Sequence, residues 1–116
     1  MFRLALLALF LTIQDRPPEL CQLSGTVTGS SGEPLNRVEI TAEPTAGGPA
    51  ARTSTDSKGN FTLADLKPGE YRLEGARSGY LSMYYGARRS HGKGSAIILT
   101  PGQWIGDLGI RLIPTR

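Results

Sequence analysis

The sequence predicts an all-β fold, a small antiparallel Greek-key β-sandwich of seven strands. Three observations support this prediction. Apolar and polar residues alternate in short runs, which is the period-two pattern of half-buried strands. Turn residues separate the runs, because the 116 residues include 15 glycines and 8 prolines. No segment after Leu23 shows a helical period, and many short strands joined by Gly/Pro turns are typical of sandwiches and barrels.

One domain over residues 22–113 accommodates all seven strands, which are predicted at residues 22–28, 37–43, 52–55, 60–63, 70–77, 95–100 and 103–113. We expect the short, polar third strand to lie at a sheet edge. The residues expected to face inward are Leu23, Gly25, Val27, Val38, Ile40, Ala42, Phe61, Leu63, Tyr71, Leu73, Leu108, Ile110 and Leu112, and we expect Leu66 to cap the same core. Pro114 should end the last strand, because proline has no N–H for a ladder.

Two tight turns are predicted from their residue types. In the segment from Asp56 to Gly59, the aspartate can accept backbone N–H groups and the glycine can adopt a positive φ. Pro68 and Gly69 occupy the favoured central positions of a type II turn. The connection at residues 45–51 is small and Gly/Pro-rich, so we expect an exposed loop.

Composition excludes several classes of function. The 13 basic and 10 acidic residues give a net charge of +3, which is too mild an excess for a nucleic-acid binder. A zinc hydrolase site needs at least three protein ligands, and a serine triad would have only His91 as its base. Asp56, Asp65 and Asp107 are isolated, whereas calcium takes six to eight oxygens. We therefore expect no catalytic residues, no metal, no cofactor and no enzymatic activity.

Residues 1–21 are predicted to be a signal peptide or disordered leader. Arg3 precedes an apolar run from Leu4 to Ile13, the pattern of a secretory signal that is too short to span a bilayer. A buried first strand or a short core helix is the alternative. Export would place the protein outside the cell, in the periplasm or in the cell envelope.

The single cysteine, Cys21, cannot form an intrachain disulfide. We interpret it as a free thiol in a flexible stretch before the first strand. Lipoprotein processing at Cys21 is an alternative, but it requires small residues where Leu20 and Glu19 stand.

Six motifs, in the right order and separated by gaps of about the length of a strand, resemble the carboxypeptidase regulatory-like domain family. The resemblance covers roughly residues 22–85, and the tail to Leu112 fits the last two strands of that family. The motifs are Leu23-Ser-Gly-Thr-Val, Gly32-Glu-Pro-Leu, Val38-Glu-Ile, Thr55-Asp-x-x-Gly59-x-Phe61, Leu66-x-Pro68-Gly69-x-Tyr71 and Gly79-Tyr80.

The resemblance implies a prealbumin-like (transthyretin-like) sandwich and a role that is mostly non-catalytic. Such domains resemble an accessory domain of metallocarboxypeptidases, and they occur in secreted bacterial proteins and at the start of outer-membrane receptors. Neighbouring starch-binding-like modules imply carbohydrate binding.

Two groups of enzymes on related sandwiches do not match. Hydroxyisourate hydrolases end in Tyr-Arg-Gly-Ser, whereas this chain ends in Leu112-Ile-Pro-Thr-Arg116. Intradiol dioxygenases hold iron with two tyrosines and two histidines, and this chain has one histidine.

The one long connection, residues 79–94, is the main candidate for a binding site. Tyr84 and Tyr85 offer flat faces that suit sugars or peptide side chains. Arg88 and Arg89, together with Lys93, could bind carboxylate or phosphate.

Alternative interpretations of these residues are structural. Tyr80 and Tyr84 could pack over the end of the sandwich while the charged groups are solvated, and His91 is expected to be an exposed loop residue. Trp104 lies beside the Pro101-Gly102 turn. It could be a platform for a carbohydrate, but we favour the interpretation of a core or edge contact.

The sequence thus predicts an exported, monomeric, non-catalytic binding or accessory module with no membrane span. Its expected partner is a carbohydrate or a cell-surface protein, bound by Tyr84, Tyr85, Arg88, Arg89 and Trp104. The alternative is a structural or protein-interaction domain that leads a larger receptor or peptidase, where the edge strand at residues 52–55 would dock a neighbouring chain. A hydrolase is supported by little beyond the name of the family.

Overall fold

A computed structural model describes residues 19–89 and 92–115. These residues form strands and no helix, so the all-β prediction is confirmed. The strands are β1 (Cys21–Thr28), β2 (Glu39–Pro44), β3 (Ala51–Ser54), β4 (Asn60–Leu66), β5 (Gly69–Ala76), β6 (Tyr80–Leu81), β7 (Met83–Tyr84), β8 (Ile97–Leu99), β9 (Trp104–Arg111) and β10 (Ile113–Pro114). The predicted leader up to residue 18 and His91 lie outside the described residues.

Two sheets pack face to face and a short ribbon joins them at one side. The smaller sheet has the order β4-β1-β9, and the larger has the order β3-β2-β5, with β7 and β8 both paired to β5. The ribbon is β10-β6. The predicted third strand does lie at a sheet edge, as β3. Within the described ranges no helix is long and apolar enough to cross a membrane.

The pairing is antiparallel throughout except between β1 and β9, which run parallel. A parallel pair needs a long crossover, and here the whole chain between the two strands supplies it. Gly25 allows the close approach of these strands, because a Cβ at this position would overlap the carbonyl of Leu108.

The core lies between the two sheets and follows the predicted alternation. All the residues predicted to face inward are buried except Gly25, which is partly buried, and Leu66 is buried with them. Leu35, Met83, Ile97 and Leu99 complete the core without having been predicted.

The interpretation of Cys21 as part of a flexible stretch is wrong. It is the first residue of β1 and only 1% exposed. Its Sγ–H donates to the carbonyl of Thr100 at 3.1 Å. Cys21 extends the inward alternation of Leu23 and Val27 by one step, and a thiol packs as a small apolar group.

The first part of the connection at residues 79–94 contains two short strands, β6 and β7, and the strand count differs partly for that reason. The described residues contain ten strands where seven were predicted. Leu112 interrupts the predicted last strand, and Pro114 pairs with Tyr80 in the ribbon. Strands of two residues are too short to show an alternation, so β6, β7 and β10 have no sequence signal.

The turn at Asp56 forms as predicted. Its Oδ1 accepts the N–H groups of Lys58 and Asn60, both at 2.9 Å. Gly59 has a φ of 79° and donates its N–H to the Asp56 carbonyl. A Cβ on Gly59 would also crowd the Val27 carbonyl at 2.7 Å, so this position requires glycine on two counts.

Thr55 joins the β1–β2 connection to the end of β3. Its buried hydroxyl donates to the Leu35 carbonyl at 2.7 Å and accepts the Val38 N–H at 2.9 Å. Its backbone N–H donates to the Val38 carbonyl, and its carbonyl accepts the Arg37 N–H, both at 3.0 Å. Four hydrogen bonds therefore converge on one residue that is 5% exposed.

Replacement of Thr55 by valine should lower the free energy of unfolding by about 2–4 kcal/mol, because it leaves the Leu35 carbonyl and the Val38 N–H buried without partners. Thr55→Ser keeps the hydroxyl and should lose only about 1 kcal/mol for the missing methyl. Urea unfolding followed by circular dichroism measures both. Equal losses in the two variants would contradict a role for the hydroxyl.

Candidate functional site

A cleft of about 640 Å³ opens where β9 ends, between the segment from Met83 to Arg88 and the segment from Gly109 to Ile113. Tyr84, Arg88 and Arg111 contribute polar groups to its walls. We call it the β9 cleft. It forms because the chain first pairs with β10 as β6 and then crosses to the larger sheet, where it pairs with β5 as β7.

Backbone hydrogen bonds hold the first wall of the β9 cleft in place. In β7, Tyr84 stands opposite Glu74 of β5. The N–H of Tyr85 donates to the Leu73 carbonyl at 2.7 Å, and the N–H of Ala87 donates to the Tyr84 carbonyl at 3.0 Å. This turn sets the position of Arg88 over the cleft.

The second wall carries the other cation. Arg111 is the last residue of β9, and its side chain is exposed. Its Nη2 donates to the carbonyl of Ser30 in the β1–β2 connection. A guanidinium has five N–H donors, so donors remain for a ligand. Among the described residues that line the β9 cleft there is no carboxylate, and the charged side chains of this lining are the two arginines.

The structure brings together only part of the predicted site. Tyr84 and Arg88 both line the β9 cleft. Tyr85 is half-buried and packs against the core, and Arg89 is exposed but does not line the cleft.

Trp104 lies away from the β9 cleft, at the start of β9 on the edge of the smaller sheet, and the interpretation of a core contact is wrong. Its side chain is 71% exposed. It pairs with Gln22 at the far end of the sheet from Arg111, which pairs with Thr28. Seven residues of strand at about 3.3 Å each separate Trp104 from Arg111 by about 23 Å. The aromatic residues therefore form no common platform.

Sequence reasoning missed Arg111, Ile113 and Ser30. Arg111 is one of several outward residues in a regular strand, and nothing local marks it as different. Only the path of β6 and β7 places it opposite Arg88.

The structural interpretation of Tyr80 is confirmed. It packs against the core, and the Arg77 guanidinium lies 5.5 Å from the centre of its ring.

Three glutamates form an acidic cluster beside Tyr84 on the outer face of the larger sheet. Glu74 pairs with Thr41 of β2, and Glu39 and Glu43 lie two residues to either side of Thr41. Burial raises the pKa of Glu74, and the charges of Glu43 and then Glu39 raise it further. Glu74 in turn raises the pKa of the Tyr84 phenol, together with burial and Glu43, while Arg72 acts in the opposite direction. Tyr84 therefore stands between this acidic face and the positive β9 cleft.

The acidic residues do not build a metal centre. Within residues 19–89 and 92–115, no group of three or more His, Cys, Asp or Glu side chains could hold a metal ion. Asp65 and Asp107 sit at separate backbone irregularities, with φ values of 59° and 60°.

The fold and the cleft define a small all-β sandwich domain with a concave, positively charged site at one end. The chain belongs to the carboxypeptidase regulatory-like domain family, because the sequence model of that family matches residues 22–103. No curated protein sequence matches the chain.

Solved structures with the same fold come from several kinds of protein. The TIE protein of Bacillus anthracis aligns with a TM-score of 0.62 and 19% identity over 83% of this chain and 17% of its own. The minor pilin GBS52 of Streptococcus agalactiae aligns with a TM-score of 0.62 and 17% identity over 85% of this chain and 46% of its own. Catechol 1,2-dioxygenase from Pseudomonas arvilla C-1 aligns with a TM-score of 0.57 and 10% identity over 87% and 54%.

At these identities the likeness concerns the fold alone. The chain spans between 17% and 54% of the length of these three proteins. It therefore corresponds to one part of each of them.

The stability of the domain should depend on the protonation of Glu74. Because the folded state raises its pKa above the ordinary 4.5, the folded protein binds this proton more readily than the unfolded chain. Stability from this group is therefore present at low pH and is lost as pH rises through the raised pKa. Glu74→Gln should remove this part of the pH dependence, as measured by urea midpoints across mildly acidic to neutral pH.

Titration of the Glu74 carboxyl carbon by NMR provides the direct check. Glu43→Gln should bring the pKa of Glu74 part of the way back, because burial, the larger cause, remains. A Glu74 that titrates at or below its ordinary value in the unmodified protein would contradict the prediction.

Proposed function

We propose that this domain is a non-catalytic accessory module, exported to the cell surface or envelope, that binds a partner protein by holding an anionic group in the β9 cleft. The observation that carries the proposal is the placement of Arg88 and Arg111 on opposite walls of one cleft without a carboxylate among its described lining residues. Membership in the carboxypeptidase regulatory-like domain family supports an accessory role.

The chemistry of the cleft favours a carboxylate or a phosphate. Guanidinium groups bind both bidentately, and such charge-assisted hydrogen bonds are stronger than neutral ones. The apolar part of the wall, Met83 and Ile113, offers contact area to an apolar side chain of the partner beside the anionic group. A concave, partly apolar site with a few converging polar groups is the usual form of a binding pocket.

Two observations support a location outside the cytoplasm. The segment from Arg3 to Ile13 has the charge and apolar pattern of a secretory signal. The fold is also that of pilin domains, among them the minor pilin of Streptococcus agalactiae. A chain that corresponds to one part of such proteins fits a module that works beside a larger partner.

Binding of an acidic peptide tests the proposal. We expect acetyl-Gly-Asp-Gly-Asp-Gly-amide to bind, and its Asn counterpart to bind much more weakly. Arg88→Gln should weaken binding about tenfold, since a charge-assisted hydrogen bond contributes roughly 1.5–3 kcal/mol. Binding should also weaken as salt is added, because the charges are solvent-accessible. NMR titration of the full chain gives both the affinity and the location.

Arg89→Gln is the matched control, since Arg89 is equally exposed, adjacent in sequence and outside the cleft. An equal loss in Arg88→Gln and Arg89→Gln, or equal binding of the Asp and Asn peptides, would contradict the proposal.

Carbohydrate binding is a second candidate, and the exposure of Trp104 favours it. A solvent-facing indole offers a flat apolar surface that can stack on a sugar ring. The dispersal of Tyr84, Tyr85 and Trp104 limits such a site to one ring. On a glycan array, Trp104→Ala should abolish any binding and Tyr85→Ala should leave it unchanged. Binding that survives Trp104→Ala would place the sugar elsewhere.

A docking role for the edge strand β3 is less favourable than the sequence indicated. β3 lies close to β4 of the opposite sheet, which limits the room for an added strand on this side. A structural or protein-interaction domain of a larger receptor or peptidase, the alternative from the sequence, would instead use the side where the β9 cleft opens.

A further inference from the structure

Among the described residues, no strand pairs with the edge of β9 that faces the β9 cleft. The N–H of Leu112 donates to the Thr28 carbonyl at 2.8 Å, so Leu112 directs its backbone groups toward β1. Backbone groups of alternate residues point to opposite edges of a strand. Gly109 and Arg111 therefore direct their N–H and C=O groups away from β1. In the part of the chain that the structure describes, β1 is the only strand that pairs with β9.

This open stretch is short and has a closed end. Beyond Arg111 the same edge is occupied, because Ile113 pairs with Leu81 and the N–H of Thr115 donates to the Gly79 carbonyl at 2.9 Å. At the other end, the φ of 60° at Asp107 interrupts the regular strand. The free edge thus runs from Leu108 to Arg111 and ends inside the β9 cleft.

Space for another strand is present along this edge. Gly109 and Arg111 both line the β9 cleft, which has a volume of about 640 Å³. The pairing of β6 with β10 shows that the same line accepts a strand. An extended peptide that adds to an exposed sheet edge gains affinity from main-chain hydrogen bonds, and nearby pockets supply specificity.

Charge decides which end of such a peptide meets the closed end of the edge. An added strand must end or leave the sheet before Ile113, because Leu81 of β6 already pairs with that residue. A terminal amine would be repelled there by Arg88 and Arg111, whereas a terminal carboxylate would be bound by them.

We propose that the β9 cleft binds the C-terminal end of an extended segment of a partner protein. The segment adds as a strand parallel to β9, pairs with the free backbone groups of Gly109 and Arg111, and places its terminal carboxylate between Arg88 and Arg111. This inference rests on the proposed function and adds the form of the partner and its orientation.

The test uses the full chain and a pentapeptide probe, acetyl-Ser-Thr-Val-Ser-Val with a free C-terminal carboxylate. Its C-terminal amide should bind at least about tenfold more weakly, because a charge-assisted pair is lost. N-methylation separates strand addition from simple anion binding. In an added strand, alternate N–H groups face β9, so N-methyl groups on alternate residues should weaken binding about fivefold or more, and N-methyl groups on the other residues less than about twofold.

Changes on the protein side give a second measurement. Gly109→Pro removes an N–H that faces the cleft and not β1, and should abolish binding, whereas Gly109→Ala keeps the N–H and should bind normally. Circular dichroism shows whether Gly109→Pro folds. If it does not, the N-methylated probes still decide the question, because they leave the protein unchanged.

The outcomes separate the two proposals. Binding that depends on Arg88 but is affected equally by both N-methylation patterns overturns strand addition and leaves anion binding in the cleft standing. Binding by the C-terminal amide as tight as by the acid overturns the placement of the terminal carboxylate between Arg88 and Arg111, and binding of the acidic peptide then tests anion binding by itself. If neither this probe nor the acidic peptide binds, both proposals fail.

Discussion

The hydroxyl of Thr55 is the interaction on which the relation between the two sheets depends. Leu35 and Val38 must be buried to complete the core, and their burial takes the backbone groups beside them out of water as well. A buried polar backbone group without a partner costs several kcal/mol. One hydroxyl satisfies the Leu35 carbonyl and the Val38 N–H at the same time. It thereby sets where β2 begins, and the register of the larger sheet follows from that start.

The β9 cleft results from the path that the chain takes between the two sheets on one side of the sandwich. On one side β3 and β4 lie close to each other, and a smaller cleft of about 480 Å³ opens beside Ala51, Asp65 and Leu66. On the opposite side the chain must pass from the β9–β10 line to β5, and two strands of two residues each make this crossing. The gap that they leave is the β9 cleft. Arg111 lies at the end of β9 in the smaller sheet and Arg88 in the loop that follows β7 of the larger sheet, so small shifts between the sheets would alter the distance between the two cations.

Local patterns predicted the parts of this structure that are themselves local. Burial of Val38, Ile40 and Ala42 follows from alternation within one strand, and the turn at Asp56 follows from two residue types. The roles of Thr55, Cys21 and Arg111 depend on neighbours that are distant in sequence, and no pattern along the chain indicates them. For the same reason the sequence grouped Trp104 with Tyr84, although the length of β9 separates the two.

The parallel pairing of β1 with β9 has a consequence for how the chain is made. β1 is the central strand of its sheet, and it emerges early during synthesis, but Gln22 must wait for Trp104 before that edge is paired. Contacts between residues so far apart in sequence slow folding. Until β9 arrives, β1 presents an unpaired edge beside the apolar side chains of Leu23 and Val27, which is a template for wrong partners. The newly made chain therefore passes through an interval of aggregation risk that ends only when its last long strand is in place.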